Sequence, residues 1–225
     1  MKIEDAYLRF LNLVNRNNTN NNVNVDRARF IMLFRDVELR FYDWVTKNNQ
    51  SDTIRQVAHL LVPRKKLVLG SKEDIYNTYE LPEDYFAFSN LHVKATDGAC
   101  TDEVRTEEVK TENLEEILSD EFSKPSFEFR ETVYHLSEGD RVAVYKNDFS
   151  IEDVKMTYYR LPRQVSMDGY FRSDGSPSTQ NIDPEWDEKT TYKILLYMAK
   201  DFSAMNEDPN KYQINKDSLF ESLQT

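Results

Sequence analysis

Apolar residues recur at intervals of three and four over residues 3 to 14. Ile3, Tyr7, Phe10, Leu11 and Val14 make one stripe there, and that spacing predicts an amphipathic helix. An asparagine-rich stretch from Asn15 to Asn24 follows. Asn side chains compete for backbone hydrogen bonds, so it reads as a flexible connector. A second helix is predicted from the capping residue Asp26 to about Lys47, with Phe30, Leu33, Phe34, Val37, Phe41, Trp44 and Val45 on its apolar face. A third begins at Ser51 and Asp52, runs through Ile54, Val57, Ala58 and Leu61, and is stopped by Pro63.

Beyond Pro63 the period changes to two. Lys65 to Leu69, Ile75 to Tyr79 and Phe86 to Thr96 read as strands; in the last the phase slips by one at Ser89 and Asn90, which predicts a β-bulge. Val104 to Lys110 is a polar strand expected at an edge, and Asn113 to Asp120 is a short acidic helix with Leu114, Ile117 and Leu118 on one side. Phe127 to Leu136 and Arg141 to Tyr145 form a hairpin through Ser137-Glu138-Gly139-Asp140, and Asp153 to Tyr159 is the last strand. The short connections predict an antiparallel meander.

Met167 to Ile182 is punctuated by Asp168-Gly169, Asp174-Gly175 and Ser176-Pro177, the signature of a loop. Asp183-Pro184-Glu185-Trp186 then reads as the start of a long helix, with an Asp cap, Pro in the first turn and Trp186 as its staple to the core. That helix reaches about Met205 and buries Thr191, Ile194, Leu195, Met198, Phe202 and Met205. The fold class expected is α+β. Residues 1–62 and 183–206 form a helical bundle, residues 63–182 an antiparallel, sandwich-like β insertion ending in a long loop, and residues 207–225 an extended C-terminal arm.

Composition narrows the chemistry. The chain has 225 residues, a formal charge of −11, five glycines and one cysteine. The negative charge argues against gripping nucleic acid, which requires clustered Lys and Arg, though an acidic surface can surround DNA and leave it free to slide. Neither GxGxxG nor GxxxxGK[ST] occurs, so a glycine-rich phosphate cradle is not expected. No apolar run approaches a membrane span, and the start, MKIEDAYLRF, lacks the basic-then-apolar form of a secretory leader. A reducing compartment is expected for a chain with Cys100 alone.

Catalytic constellations are sparse. Cys100 lies in the acidic turn Asp97-Gly98-Ala99-Cys100, which disfavours a thiolate. His59, His92 and His135 have no metal-ligand spacing and read as satisfied polar residues. The acids from Asp97 to Asp120, Glu115 and Glu116 among them, read as a solvated or inter-subunit face; the alternative is a Mg²⁺-dependent nuclease, and a third reading is a cytosolic adaptor binding a protein through the aromatic hairpin. No catalytic, metal or cofactor-binding residue is assigned, and the chain is not expected to be an enzyme.

Leu81-Pro82-Glu83-Asp84-Tyr85, then Tyr158-Tyr159-Arg160-Leu161-Pro162, then Asp183-Pro184-Glu185-Trp186 before a final helix form a succession that resembles the head-to-tail connector proteins of short-tailed phages, the tail tubular protein A type, with a composition similar to the ring proteins of crAss-like phages. The resemblance covers roughly residues 26 to 206. It implies a virion protein assembled in the host cytoplasm, a homo-oligomeric ring of about twelve copies. Portal and downstream tail proteins would be its partners, and DNA would pass through without specific binding. In that setting Tyr170, Phe171 and Arg172 of the loop, with Leu219, Phe220 and Leu223 of the arm, are the expected interface residues. The tail beyond Pro209 departs from the family.

Overall fold

The computed structural model describes residues 1–15, 24–48, 55–137, 140–172 and 175–205, with Gln213 and Lys216. Most of the Asn-rich connector, the start of the expected third helix and nearly all of the C-terminal arm, including Leu219, Phe220 and Leu223, lie outside these residues. The fold is α+β. It divides into two compact units: Met1–His59 with Pro162–Thr225, and Leu60–Leu161.

The first unit contains α1 (Ile3–Val14) and α2 (Arg27–Asn48), and ends in a long helix, Glu188–Met205. On α1 the buried stripe is Ile3, Ala6, Phe10, Leu13 and Val14, so Leu11 and Tyr7 sit at its border rather than its centre. The Tyr7 hydroxyl stays at that border because it donates to the Val25 carbonyl at 2.6 Å. Phe10 packs on Phe30 and Phe202 with ring centroids 5.5 and 5.9 Å apart, which ties α1 to α2 and to the final helix. Rings at such separations add about 0.5–1.5 kcal/mol to their burial. Asp26 caps α2 by accepting the Arg29 amide at 2.7 Å. On α2, Tyr42 is fully buried, whereas Trp44, placed on the apolar face by its spacing, is 44% exposed.

The final helix starts four residues later than expected. Asp187, not Asp183, caps it by accepting the Thr190 amide at 2.6 Å. Asp183 instead accepts the amide of Ile3 at 2.8 Å and caps α1, which has no capping side chain of its own. Trp186 is 2% exposed and precedes the helix.

The second unit is one eight-stranded sheet ordered β1-β8-β4-β5-β6-β7-β3-β2. The strands are β1 (Leu61–Lys66), β2 (Val68–Lys72), β3 (Tyr76–Glu80), β4 (Tyr85–Asp97), β5 (Cys100–Glu108), β6 (Glu131–Ser137), β7 (Arg141–Tyr145) and β8 (Ser150–Arg160). The two ends of the order, β1 and β2, are joined in sequence by Leu67 alone, so the sheet curls back on itself. Its interior holds Leu91, Val93, Val104, Tyr134, Val142, Val144, Val154, Met156 and Tyr158. The register of β4 against β8 shifts between Phe88 and Asn90, where the alternation slips.

Three expectations are corrected here. The sheet is mixed: β5 and β6 are parallel, because the connection between them is long enough for a crossover and carries α3 (Thr111–Ser119). This helix packs Leu114, Ile117 and Leu118 over Val109, Val133, Ala143 and Tyr145. Strand β5 lies inside the sheet, its first half paired with β4 and its second with β6; it reads as polar because one of its faces meets solvent. Pro63 lies within β1, an end strand that tolerates a missing donor, next to a register shift and to Arg64 at φ 48°. Among the described residues, no helix is long and apolar enough to cross a membrane.

Candidate interaction face

One side of α2 remains outside the core. Ala28, Met32, Arg35 and Leu39 recur at four, three and four, which places them in a row along the helix. Met32 is 69% exposed. Facing this row is the segment 163–172, and together they line a groove of about 500 Å³ that also includes Gln164, Tyr170, Phe171 and Arg172. Phe171 is 71% exposed on its rim.

The loop that carries Tyr170, Phe171 and Arg172 belongs to the helical unit, not to the end of the β insertion. Its cross-links explain why. Ser166 and Ile182 exchange backbone hydrogen bonds, Gly169 donates to the Ser178 carbonyl at 3.1 Å and Ser178 donates to the Tyr170 carbonyl at 2.8 Å. The buried hydroxyls of Ser166 and Ser178 lie 2.7 Å apart, and Val165 and Met167 are each 1% exposed. Arg27 of α2 donates to the Asp168 carbonyl, and Asn181 donates to Glu4 of α1 at 3.0 Å. A segment expected as a long reaching loop is thus held as a hairpin-like structure that presents Phe171.

The charge on the groove wall is also fixed. Arg35 donates to Glu38 at 2.8 Å and to the Pro162 carbonyl at 3.0 Å. Glu38 is fully buried, and its other oxygen accepts the indole N–H of Trp186 at 2.7 Å. Burial lifts the Glu38 carboxyl above its ordinary range, against the two donors that favour its charged form; Glu185 nearby raises it further. Glu185 is itself bound by the Arg163 side chain at 3.0 Å. Arg35 is therefore anchored by a buried acid while its guanidinium borders the groove. Arg172 has no charged partner among the described residues.

The motifs behind the family resemblance turn out to be structural joints. Asp84 accepts the Tyr158 hydroxyl at 2.7 Å, the Leu161 amide donates to the Asp84 carbonyl at 2.7 Å, and the Tyr85 and Tyr158 rings are 6.0 Å apart. The Leu81–Tyr85 and Tyr158–Pro162 stretches thus meet across the sheet, while Asp183 and Trp186 tie the chain to α1 and α2.

The remaining candidates are dispersed. His92 faces Glu103 at 2.7 Å, His135 bonds Thr111 and the Val109 carbonyl, and His59 lies edge-on to Trp186. Cys100 is exposed at the start of β5. Among the described residues, no three His, Cys, Asp or Glu side chains are grouped to hold a metal ion. Glu115 and Glu116 point to solvent from α3. Sequence reasoning singled out the loop half of the groove through its aromatic residues but missed Met32 and Arg35, whose only signal was the four-three-four row on α2. No protein-family model matches the chain, and no curated protein matches its sequence.

Proposed function

We propose that this chain is a structural protein of a phage neck, a ring-forming connector that joins portal to tail and lines a passage for DNA. The observation that carries this reading is the pairing of two widely exposed apolar side chains, Met32 at 69% and Phe171 at 71%, on opposite walls of an ordered groove. Contiguous apolar surface with a polar rim marks a protein contact. The order of the three joint motifs, the absence of a clustered catalytic or metal-binding set among the described residues and the formal charge of −11 support the same reading. A passage lined by like charge repels the DNA backbone and does not retain it. The work of such a protein is geometric: it matches one symmetric surface to another and needs no cofactor.

Mass photometry and negative-stain imaging of the purified chain, alone and mixed with portal protein, test the proposal. Closed multimers near twelve copies are the expected result. A chain that stays monomeric at micromolar concentration in both conditions overturns it.

A further inference from the structure

The final helix, Glu188–Met205, is enclosed from three directions. Phe202 meets the ring of Phe10, and Glu188 pairs with Arg9 at 2.8 Å, so one side faces α1. Tyr197 meets Phe41, and Asp201 accepts Arg40 at 2.8 Å, so a second side faces α2. Lys193, Leu196, Lys200 and Ser203 recur at three, four and three; they form a third row, about 100° to 120° around the helix from the other two. Lys193, Leu196 and Ser203 are buried there, and Lys200 is half-buried. Two polar members of the row turn back onto their own helix: Ser203 donates to the Ala199 carbonyl at 2.7 Å, and the Lys200 ammonium lies over the Tyr197 ring at 5.6 Å. A helix buried all round needs a packing partner on every side, and α1 and α2 supply two.

The chain carries a partner for the third side. Residues 206–225 follow Met205, and the compact helical unit extends through Thr225. Asn206 to Asn210 contains Asp208-Pro209, a helix breaker suited to a reversal. Beyond it Tyr212, Lys216, Leu219, Phe220 and Leu223 fall on one stripe at helical spacing. Gln213 and Lys216 are helical; Gln213, off the stripe, is exposed, and Lys216, on it, is half-buried. We propose that residues 211–224 fold back as a helix along the Lys193–Ser203 row of the same chain, so that Leu219, Phe220 and Leu223 complete the core of the helical unit. Two antiparallel helices joined by a short connection are a standard packing unit. The lengths agree, since Lys193 to Ser203 spans about 15 Å of helix and Tyr212 to Leu223 about 16 Å. With Asn206 to Asn210 as the reversal and equal rise on both helices, Lys216 comes level with Lys200, Phe220 with Leu196 and Leu223 with Lys193. The two lysines can lay their stems along the seam and keep their ammonium groups in water. This placement moves Leu219, Phe220 and Leu223 from an assembly interface to the interior of one chain, and it leaves the groove beside Phe171 to the ring reading.

The test links the arm to the final helix in the full-length chain. Cys100→Ser removes the native thiol. In that background, Lys200→Cys with Lys216→Cys is compared with Leu8→Cys with Lys216→Cys, Leu8 being an exposed position on α1. A short bismaleimide is added to dilute protein, and mass spectrometry counts the links. The expected result is at least tenfold more intramolecular link in the Lys200 pair than in the Leu8 pair. In a separate variant, Phe220→Ser with Leu223→Ser should lower the urea midpoint and quicken amide exchange at Leu196 and Ser203 at least tenfold. Three outcomes overturn the proposal: equal yields in the two pairs, links that join two chains and so place the arm on a neighbouring copy, or a urea midpoint that the double serine variant leaves unmoved. All three are read on the isolated chain, so a wild type that stays monomeric with and without portal removes the ring reading and leaves this placement standing.

Discussion

The indole N–H of Trp186 donates to a carboxylate oxygen of Glu38 at 2.7 Å, linking residues 148 positions apart. Around this bond, Trp186 packs edge-on against Phe41, Tyr42 and His59, with centroids 5.9, 5.7 and 5.5 Å away. The same carboxylate accepts Arg35, so one buried acid connects the core of the helical unit to the wall of its groove.

Replacing Trp186 separates volume from hydrogen bonding. Trp186→Ala leaves a cavity and strips Glu38 of a donor, and it should cost about 3 to 5 kcal/mol. Trp186→Phe keeps most of the ring volume and loses only the donor, at about 1 to 3 kcal/mol. Urea unfolding of both variants checks the order. An unchanged unfolding midpoint for Trp186→Ala would show that the ring contributes to an interface and not to the core.

Glu38 makes stability depend on pH. Its carboxyl is raised above the ordinary range by burial, opposed by Trp186 and Arg35 and assisted by Glu185. A group that holds its proton more tightly when folded contributes most below its unfolded pKa of about 4.3, and that contribution is lost as pH rises through the folded value. Wild-type stability minus that of Glu38→Gln, which cannot ionise, should therefore fall from about pH 4 upward and level off above the folded pKa. Urea midpoints for the pair at pH 4 to 8 measure this. A difference that grows with pH would show that Arg35 outweighs desolvation at this site.

Asp183 should matter to α1 and not to the helix it precedes. Asp183→Ala removes the acceptor for the Ile3 amide and is expected to cost about 0.5 to 2 kcal/mol, whereas Asp183→Asn keeps an acceptor and should cost less. Amide exchange of Ile3 reports the effect directly: faster exchange in Asp183→Ala, with the amide of Thr190 unchanged because Asp187 caps it.

These residues also mark how far the chain could be read before its structure. Most of the helix faces and the β4 slip were legible because period and phase are local properties, though Trp44 and Met205, expected on apolar faces, are 44% and 62% exposed, and Trp186 was legible as buried because a large apolar residue next to a helix start has few other places to go. The role of Asp183 was not, since a cap supplied from 180 residues away leaves no local trace. The parallel β5–β6 pair was hidden because its crossover contains a short helix that reads equally well as a turn-flanking element of a meander. Of the groove, Phe171 was named in advance only as an interface residue that the resemblance implied. Its counterpart Met32 looked like one more apolar position on a helix, and only the packed core shows which side of α2 was already used.

The pose of the Phe171 loop rests on two glycines that differ in one respect. Gly169 has φ +80° and Gly175 φ +81°, both left-handed, so an alanine at either is strained by about 1 to 2 kcal/mol. A Cβ at Gly169 would also lie 3.2 Å from the Arg27 guanidinium, which holds the Asp168 carbonyl, whereas a Cβ at Gly175 meets nothing within 4 Å. Gly169→Ala should therefore destabilise the helical unit more than Gly175→Ala, and only the former should loosen the link from α2 to the loop. Urea unfolding gives the difference, and amide exchange of Gly169 and Ser178, whose cross-strand bonds depend on that link, should quicken in Gly169→Ala alone. Equal losses in the two variants would mean that Arg27 yields without cost and that the backbone bonds by themselves hold Phe171 against the groove.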